Sequence, residues 1–273
     1  LTRKFALELG VVGLLNVQYA IRDGGVYVLE VNPRASRTIP FVGKATGVPL
    51  ARLAARVMAG EKLADLKVPE EPRVPGVAVK EAVFPFNRFE VDILLGPEMR
   101  STGEVMGIDD SFAMAFAKAA KASGNAVPLE GGVLVVSVND RDKATVTPII
   151  RRFHDLGYEI LATRGTHGHL SRLGIPCKRV FKVGEGRPNI VDGIVSGEIG
   201  LLINTPLGKK SQFDDYAMRR AAITHNIPYL TTMSAANAAC DALIAIRSRT
   251  LKVRAIQDRI AEVQQRFAQE DNS

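Results

Sequence analysis

The stretch VLVVSVNDRDKATVTPIIRRFHDLGYEILATRGTHG, residues 133 to 168, decides the fold. It opens on a short apolar run, passes through a helix-like segment, and returns to a second apolar run, YEILAT, before a turn rich in Gly and Thr. Unbroken apolar runs of this length suit strands buried on both faces, and their alternation with helices predicts a parallel sheet wound on both sides. The rhythm continues in KRVFKV, GLLINT and PYLTT, with SQFDDYAMRRAAITHN as a further helix. The expectation for residues 126 to 273 is therefore a doubly wound, five-stranded, Rossmann-like α/β domain that ends in one long helix over about residues 235 to 268.

Working upstream, GNAVPLEGG (residues 124 to 132) reads as a linker, and DDSFAMAFAKAAKASG reads as a helix with Asp or Ser at its N-cap and Gly124 near its end. Before it come an irregular stretch, LLGPEMRSTGEVMG, and a strand, VAVKEAVFPF, at residues 77 to 86. A Pro- and charge-rich connector, DLKVPEEPRVPG, separates these from a hairpin, LLNVQYAI and VYVLEV around RDGG, and a helical pair through GVPLARLAARVMAG. Residues 1 to 125 are thus expected to form a separate, partial α+β module. Its strands call for more sheet than this half offers, so the chain is expected to begin inside a domain.

At 273 residues and 46% hydrophobic, the chain is long enough for two ordinary cores. No apolar run approaches the roughly 20 residues of a membrane span. The N-terminus lacks the small-residue cleavage site of a signal peptide. Two cysteines, Cys177 and Cys240, make no disulfide scaffold, which points to a cytoplasmic protein. The net charge of +7 is spread along the chain, and aromatic residues do not interleave with it, so small phosphates and carboxylates fit the charge better than nucleic acid.

Ligands of open parallel sheets bind outside the carboxyl ends of the strands. Those ends deliver Ser137, Asn139 and Lys143, then Thr163 and Thr166, then Lys182, then Asn204, Thr205 and Lys209, then Thr231 and Thr232. These are hydroxyl, amide and ammonium donors, and the turn Thr163-Arg164-Gly165-Thr166 opens a helix whose free N–H groups favour an anion. Taken singly, each also reads as a helix cap or a solvated side chain. Taken together, they predict an anion pocket. Asp140 and Asp142 stand nearby without a motif that marks either as a catalytic base, and the histidines have no metal-ligand spacing beyond the His167 and His169 pair, which is expected at a helix start and not on zinc.

In the first half, VYVLEVNPRASRT places Glu30 and Asn32 on one face of an apolar strand. If Asp23-Gly24-Gly25 forms a three-residue hairpin, Gln18 falls opposite Glu30 with Asn16 beside it. Such oxygen donors suit Mg²⁺ carrying a polyphosphate, with Arg34 and Arg37 as forked donors to the phosphates. The alternative is that Glu30 pairs with an arginine while Asn32 caps the turn at Pro33.

The run NVQYAIRDGGVYVLEVNPRASRTIPFVGKATGVPLARLA resembles the end of the second ATP-grasp domain in the large subunits of carbamoyl phosphate synthases. VKEAVFPFNRF and LLGPEMRSTGEVMGID resemble the segment that follows it there, and residues 126 to 273 resemble the methylglyoxal-synthase-like allosteric domain of the same family. The resemblance implies an ATP-dependent ligase making carbamoyl phosphate from bicarbonate, glutamine-derived ammonia and two ATP, in arginine and pyrimidine biosynthesis. It also implies a glutaminase small subunit as partner and a possible K+ requirement. Gln18, Glu30 and Asn32 match residues that hold Mg²⁺ or Mn²⁺ on ATP, and Arg34 and Arg37 match residues at the phosphoryl-transfer site. Ser137, Lys143, Thr163, Thr166, Lys182, Asn204 and Thr205 match residues that bind the phosphate and ribose of UMP or IMP. Glu81 and Thr231 match positions used by ornithine, and the allosteric domain implies a possible homo-oligomer. Pro206 and Leu207 stand where some family members carry further hydroxyls. The family's nucleotide-clamping loops match nothing here, so this portion alone is expected to lack synthase activity. The other reading is a stand-alone nucleotide- or phosphate-binding module without catalysis.

Overall fold

The computed structural model describes all residues except 70, 71, 73, 75, 85–100, 206–211 and 271–273. Contacts divide it into two compact units, Leu1–Gly76 with Val253–Ser273, and Val77–Lys252. The unit boundary thus falls at 76/77, upstream of the 125/126 division expected between modules.

In the first unit, helix α1 (Thr2–Glu8) precedes strands β1 (Asn16–Arg22) and β2 (Gly25–Asn32), followed by α2 (Thr38–Thr46) and α3 (Leu50–Met58). The antiparallel hairpin turns more tightly than expected. Arg22 pairs directly with Gly25, leaving a two-residue turn in which Asp23 and Gly24 have φ of 51° and 78°. Both central residues in the left-handed region mark a type I′ turn, whose twist matches that of the strands it joins. Nor is β2 the buried strand its composition suggests. Val26, Tyr27, Val28 and Leu29 are all exposed, because the two strands form a sheet on their own among the described residues.

The second unit opens with β3 (Val77–Val83) and β4 (Gly103–Asp109), an antiparallel pair that turns the end of the expected irregular stretch into a strand. Helix α4 (Phe112–Ser123) covers it, capped by the Ser111 hydroxyl, which accepts from the Met114 N–H, and stopped by Gly124 at φ 80°. The Ala-rich face of α4 allows close approach. Ala115 and Ala119 are fully buried.

The parallel sheet follows, built from β5 (Gly132–Ser137), β6 (Tyr158–Thr163), β7 (Lys178–Val180), β8 (Ile199–Asn204) and β9 (Tyr229–Leu230). Its order is β7-β6-β5-β8-β9, so the winding reverses between β5 and β8. Side-chain alternation along β5 sends Leu134 and Val136 to one core and Val135 to the other. The first core is completed from α5 (Lys143–Asp155), α6 (Arg164–Arg172) and α9 (Met233–Ser248). The second is completed from α7 (Ile190–Val195) and α8 (Gln212–Thr224). This is the five-stranded, doubly wound α/β domain expected.

Two expected connections differ. The segment read as a linker is fastened down: the Asn125 side chain accepts from the Tyr229 N–H at 3.2 Å, and the Leu129 carbonyl accepts from Arg247 at 2.7 Å. The long final helix is two helices. α9 stops at Ser248, and α10 (Ile256–Glu270) belongs to the first unit.

Candidate functional site

The winding reversal leaves a crevice between the carboxyl ends of β5 and β8, where ligands of doubly wound sheets bind. Ser137 and Asn204 end these strands as register partners. The Ser137 carbonyl accepts from the Asn204 amide at 3.1 Å and from the Thr205 N–H at 3.2 Å. Thr163 donates to the Ser137 hydroxyl at 3.3 Å. The chain leaving β5 is stitched on both sides, since the Val138 N–H donates to the Thr166 hydroxyl (3.3 Å) and the Asn139 N–H to the Thr205 hydroxyl (3.1 Å). A hydroxyl that accepts from the backbone keeps its own hydrogen to donate. Thr166 and Thr205 therefore present donors at the strand ends.

Of the expected cations, Lys143 begins α5, and its Nζ lies so near the start of α6 that a Cβ on Gly165 would meet it at 3.4 Å. It also pairs with the exposed Asp140 at 2.6 Å, and this hydrogen bond holds the Asp140 carboxyl below its ordinary range. Asp142 is taken up by Asn139, whose amide donates to it at 2.6 Å. Lys182 leaves the end of β7 and reaches the same crevice, with its side chain 15% exposed. Ser137, Thr163, Thr166, Asn204 and Thr205 are all buried. Lys209, Pro206 and Leu207 lie outside the described residues.

Sequence reasoning missed two members. Asp215 and Arg219, one turn apart on α8, are each 1% exposed. The Lys182 Nζ lies 3.5 Å from Asp215 Oδ1. The Asn204 amide donates to the same oxygen at 3.4 Å, while its carbonyl oxygen accepts from Arg219 at 3.3 Å. Within SQFDDYAMRRAA the i, i+4 spacing of an Asp and an Arg was visible, but such a pair reads as an exposed helical ion pair until burial is known.

The other sites are looser. Thr232 caps α9, its hydroxyl accepting from the Ala235 N–H at 3.1 Å. Thr231 precedes it, half-buried. Burial pushes the Glu81 carboxyl up. Burial also raises the Tyr229 phenol, and the charge of Glu81 raises it further.

In the first unit Gln18 pairs with Glu30 and Asn16 with Asn32, as expected, though by a different route. The shorter turn alone would set Gln18 out of step. A bulge at Leu29, between the pairs Gln18 with Glu30 and Tyr19 with Val28, restores the register. Glu30 is exposed, and the Asn32 amide donates to it. Arg34 donates to the Asn32 oxygen at 3.4 Å, so Glu30 is linked to an arginine through Asn32. Gln18, Glu30 and Asn32 offer oxygen donors on one strand pair, a set that fits a hard cation in kind. Among the described residues no three His, Cys, Asp or Glu converge. Arg37 is the exposed N-cap of α2.

Residues 2–66 match the family model described as "Carbamoyl-phosphate synthase L chain, ATP binding domain", and residues 145–231 match the "MGS-like domain". Proteins named carbamoyl phosphate synthase large chain are similar over almost the whole chain. That of Gemmatimonas aurantiaca is 55% identical over 94% of this chain and 24% of its own length. That of Archaeoglobus fulgidus is 51% identical over 94% and 24%, and that of Methanothrix thermoacetophila 48% identical over 97% and 25%. The chain spans about a quarter of the length of these relatives.

Proposed function

Because the chain belongs to the carbamoyl phosphate synthase large-chain family, we propose that it is the C-terminal portion of a glutamine-dependent carbamoyl phosphate synthase, joining metal-ATP ligands to a nucleotide-responsive domain. The observation that carries the regulatory part is the convergence of Ser137, Thr163, Thr166, Asn204, Thr205 and Lys182 at the winding reversal of a parallel sheet. Buried hydroxyl and amide donors beside two lysines suit the phosphate and ribose of a nucleoside monophosphate. UMP and IMP are the proposed guests, with Lys143 and Lys182 on the phosphate.

In the first unit, Gln18, Glu30 and Asn32 are the proposed ligands of Mg²⁺ or Mn²⁺ on ATP, and Arg34 and Arg37 the proposed neutralisers of charge during carbamate phosphorylation. Such a cation, when bound, supplies charge neutralisation to the phosphates. The exposed Glu30 and the half-buried Asn32 then serve to position it. Glu81 and Thr231 form the proposed ornithine contact. The proposed modules meet at residue 125/126. This portion alone is proposed to lack synthase turnover, and the complete enzyme to work in the cytoplasm with a glutaminase small subunit.

Calorimetric titration of UMP and IMP into this chain and its Lys182→Ala variant tests the regulatory reading. Binding lost in the variant supports it. Affinity unchanged by the substitution would sink it.

A further inference from the structure

The lysine at the centre of the candidate pocket does not meet its ligand bare. Lys182 Nζ lies 3.5 Å from Asp215 Oδ1, and the Asp215 side chain is only 2% exposed. That carboxylate also receives the Asn204 amide at 3.4 Å, and Arg219 meets the other end of the same amide at 3.3 Å. An ionised carboxylate is costly to bury unless cations and donors face it, and here they do. Within this trio of Lys182, Asp215 and Arg219 the cations outnumber the carboxylate by one. We propose that Asp215 is an internal counter-ion that occupies Lys182 and Asn204 in place of a ligand anion, and so sets the affinity of the pocket.

This rests on the anion-pocket reading above. The physical consequence follows from the two bonds. A phosphate arriving at Lys182 must take the ammonium from Asp215 and bring a second anion close to a buried carboxylate, and both effects weaken binding in a poorly screened interior. Asp215 is a positioning residue here: it fixes the Lys182 ammonium and the Asn204 amide and need not touch the ligand.

The experiment titrates UMP and inorganic phosphate, separately, into the full chain, Asp215→Asn, Asp215→Asn with Lys182→Ala, and Asp140→Asn. The amide keeps the shape and an acceptor for Asn204 while removing the charge. Both anions should bind Asp215→Asn about tenfold more tightly, a change of about 1.4 kcal/mol. That gain should disappear when Lys182 is also removed. Asp140 pairs with Lys143 on the exposed rim, and Asp140→Asn should gain far less.

A folded Asp215→Asn chain that binds no tighter overturns the proposal while leaving the pocket intact. An equal gain in Asp140→Asn overturns it too, because net charge alone then accounts for the change. Binding in Asp215→Asn where the parent shows none supports it in its strongest form. No binding by any variant removes the pocket and the proposal together. If Asp215→Asn does not fold, Asp215→Ser decides by the same titration. Loss of fold in both would assign the carboxylate to structure alone and end the proposal.

Discussion

Gly107 of β4 passes so close to Ala115 of α4 that a Cβ on the glycine would lie 1.9 Å from the alanine carbonyl oxygen. The next nearest atom is the Ala119 N, at 2.6 Å. These are backbone atoms of a buried helix and cannot swing aside. Gly107→Ala should therefore destabilise the second unit by about 3 kcal/mol, as overpacking against backbone does. A drop in melting temperature on thermal denaturation would show it, and an unchanged melt would mean that α4 and β4 can separate without cost.

Lys118 ties the same helix to the end of the same strand. Its Nζ lies 2.7 Å from Asp109 Oδ2 and donates to the Ile108 carbonyl at 3.1 Å. Burial opposes ionisation of Asp109, but the Lys118 hydrogen bond, the Asp110 N–H and the nearby charges of Lys118 and Arg249 outweigh it, so the carboxyl titrates below its ordinary value. Lys118→Met leaves that carboxylate with weaker support and should cost about 1–3 kcal/mol. Because the folded-state value is lowered, this stabilisation is present above the ordinary carboxylate range and is lost as pH falls through the folded value. The difference between parent and variant in urea melts should accordingly shrink from pH 7 towards the acid limb.

Glu81 predicts the opposite sign. Burial raises its carboxyl, so folding favours the protonated form, and a cost appears as pH rises through the raised value. Glu81→Gln should raise the melting temperature at pH 7 and leave it unchanged below the ordinary carboxylate range. A variant that is less stable at pH 7 would show that the carboxylate has a charged partner that repays its burial.

Thr166 and Thr205 hold the chain after β5 by accepting from the Val138 and Asn139 N–H groups. Thr166→Val, close in shape but without an acceptor, leaves a buried N–H unsatisfied and should cost about 1–3 kcal/mol. It should also weaken UMP binding, because the strand end loses its anchor and the pocket loses the Thr166 hydroxyl. Chemical denaturation and titration on the same samples separate the two effects; stability lost with binding intact would confine Thr166 to a structural role.

The parallel sheet was legible because its physics is local. Strands buried on both faces must be apolar throughout, and the helices between them must carry a 3.6-residue stripe, so VLVVSV, YEILAT and their neighbours announce themselves. The family resemblance was equally plain in the runs around Glu30 and Asn32. Burial is less local elsewhere. VYVLEV has the composition of a buried strand, and because its hairpin calls for more sheet than the two strands among the described residues, Val26 to Leu29 remain exposed.

The sequence by itself determined the strands of the parallel sheet and which donors end them. The tertiary structure decided register and charge environment. The pairing of Gln18 with Glu30 emerged from a two-residue turn and a bulge that compensate one another, a combination no spacing rule distinguishes from a longer loop. Nothing local separates Asp215 from one half of a solvated helical ion pair, and only the packing of α8 on the sheet brings it against Lys182 and Asn204. Strand and helix patterns come from neighbours along the chain. Burial of a single carboxylate comes from elements far apart in sequence, and in this crevice it sets the charge that meets a ligand.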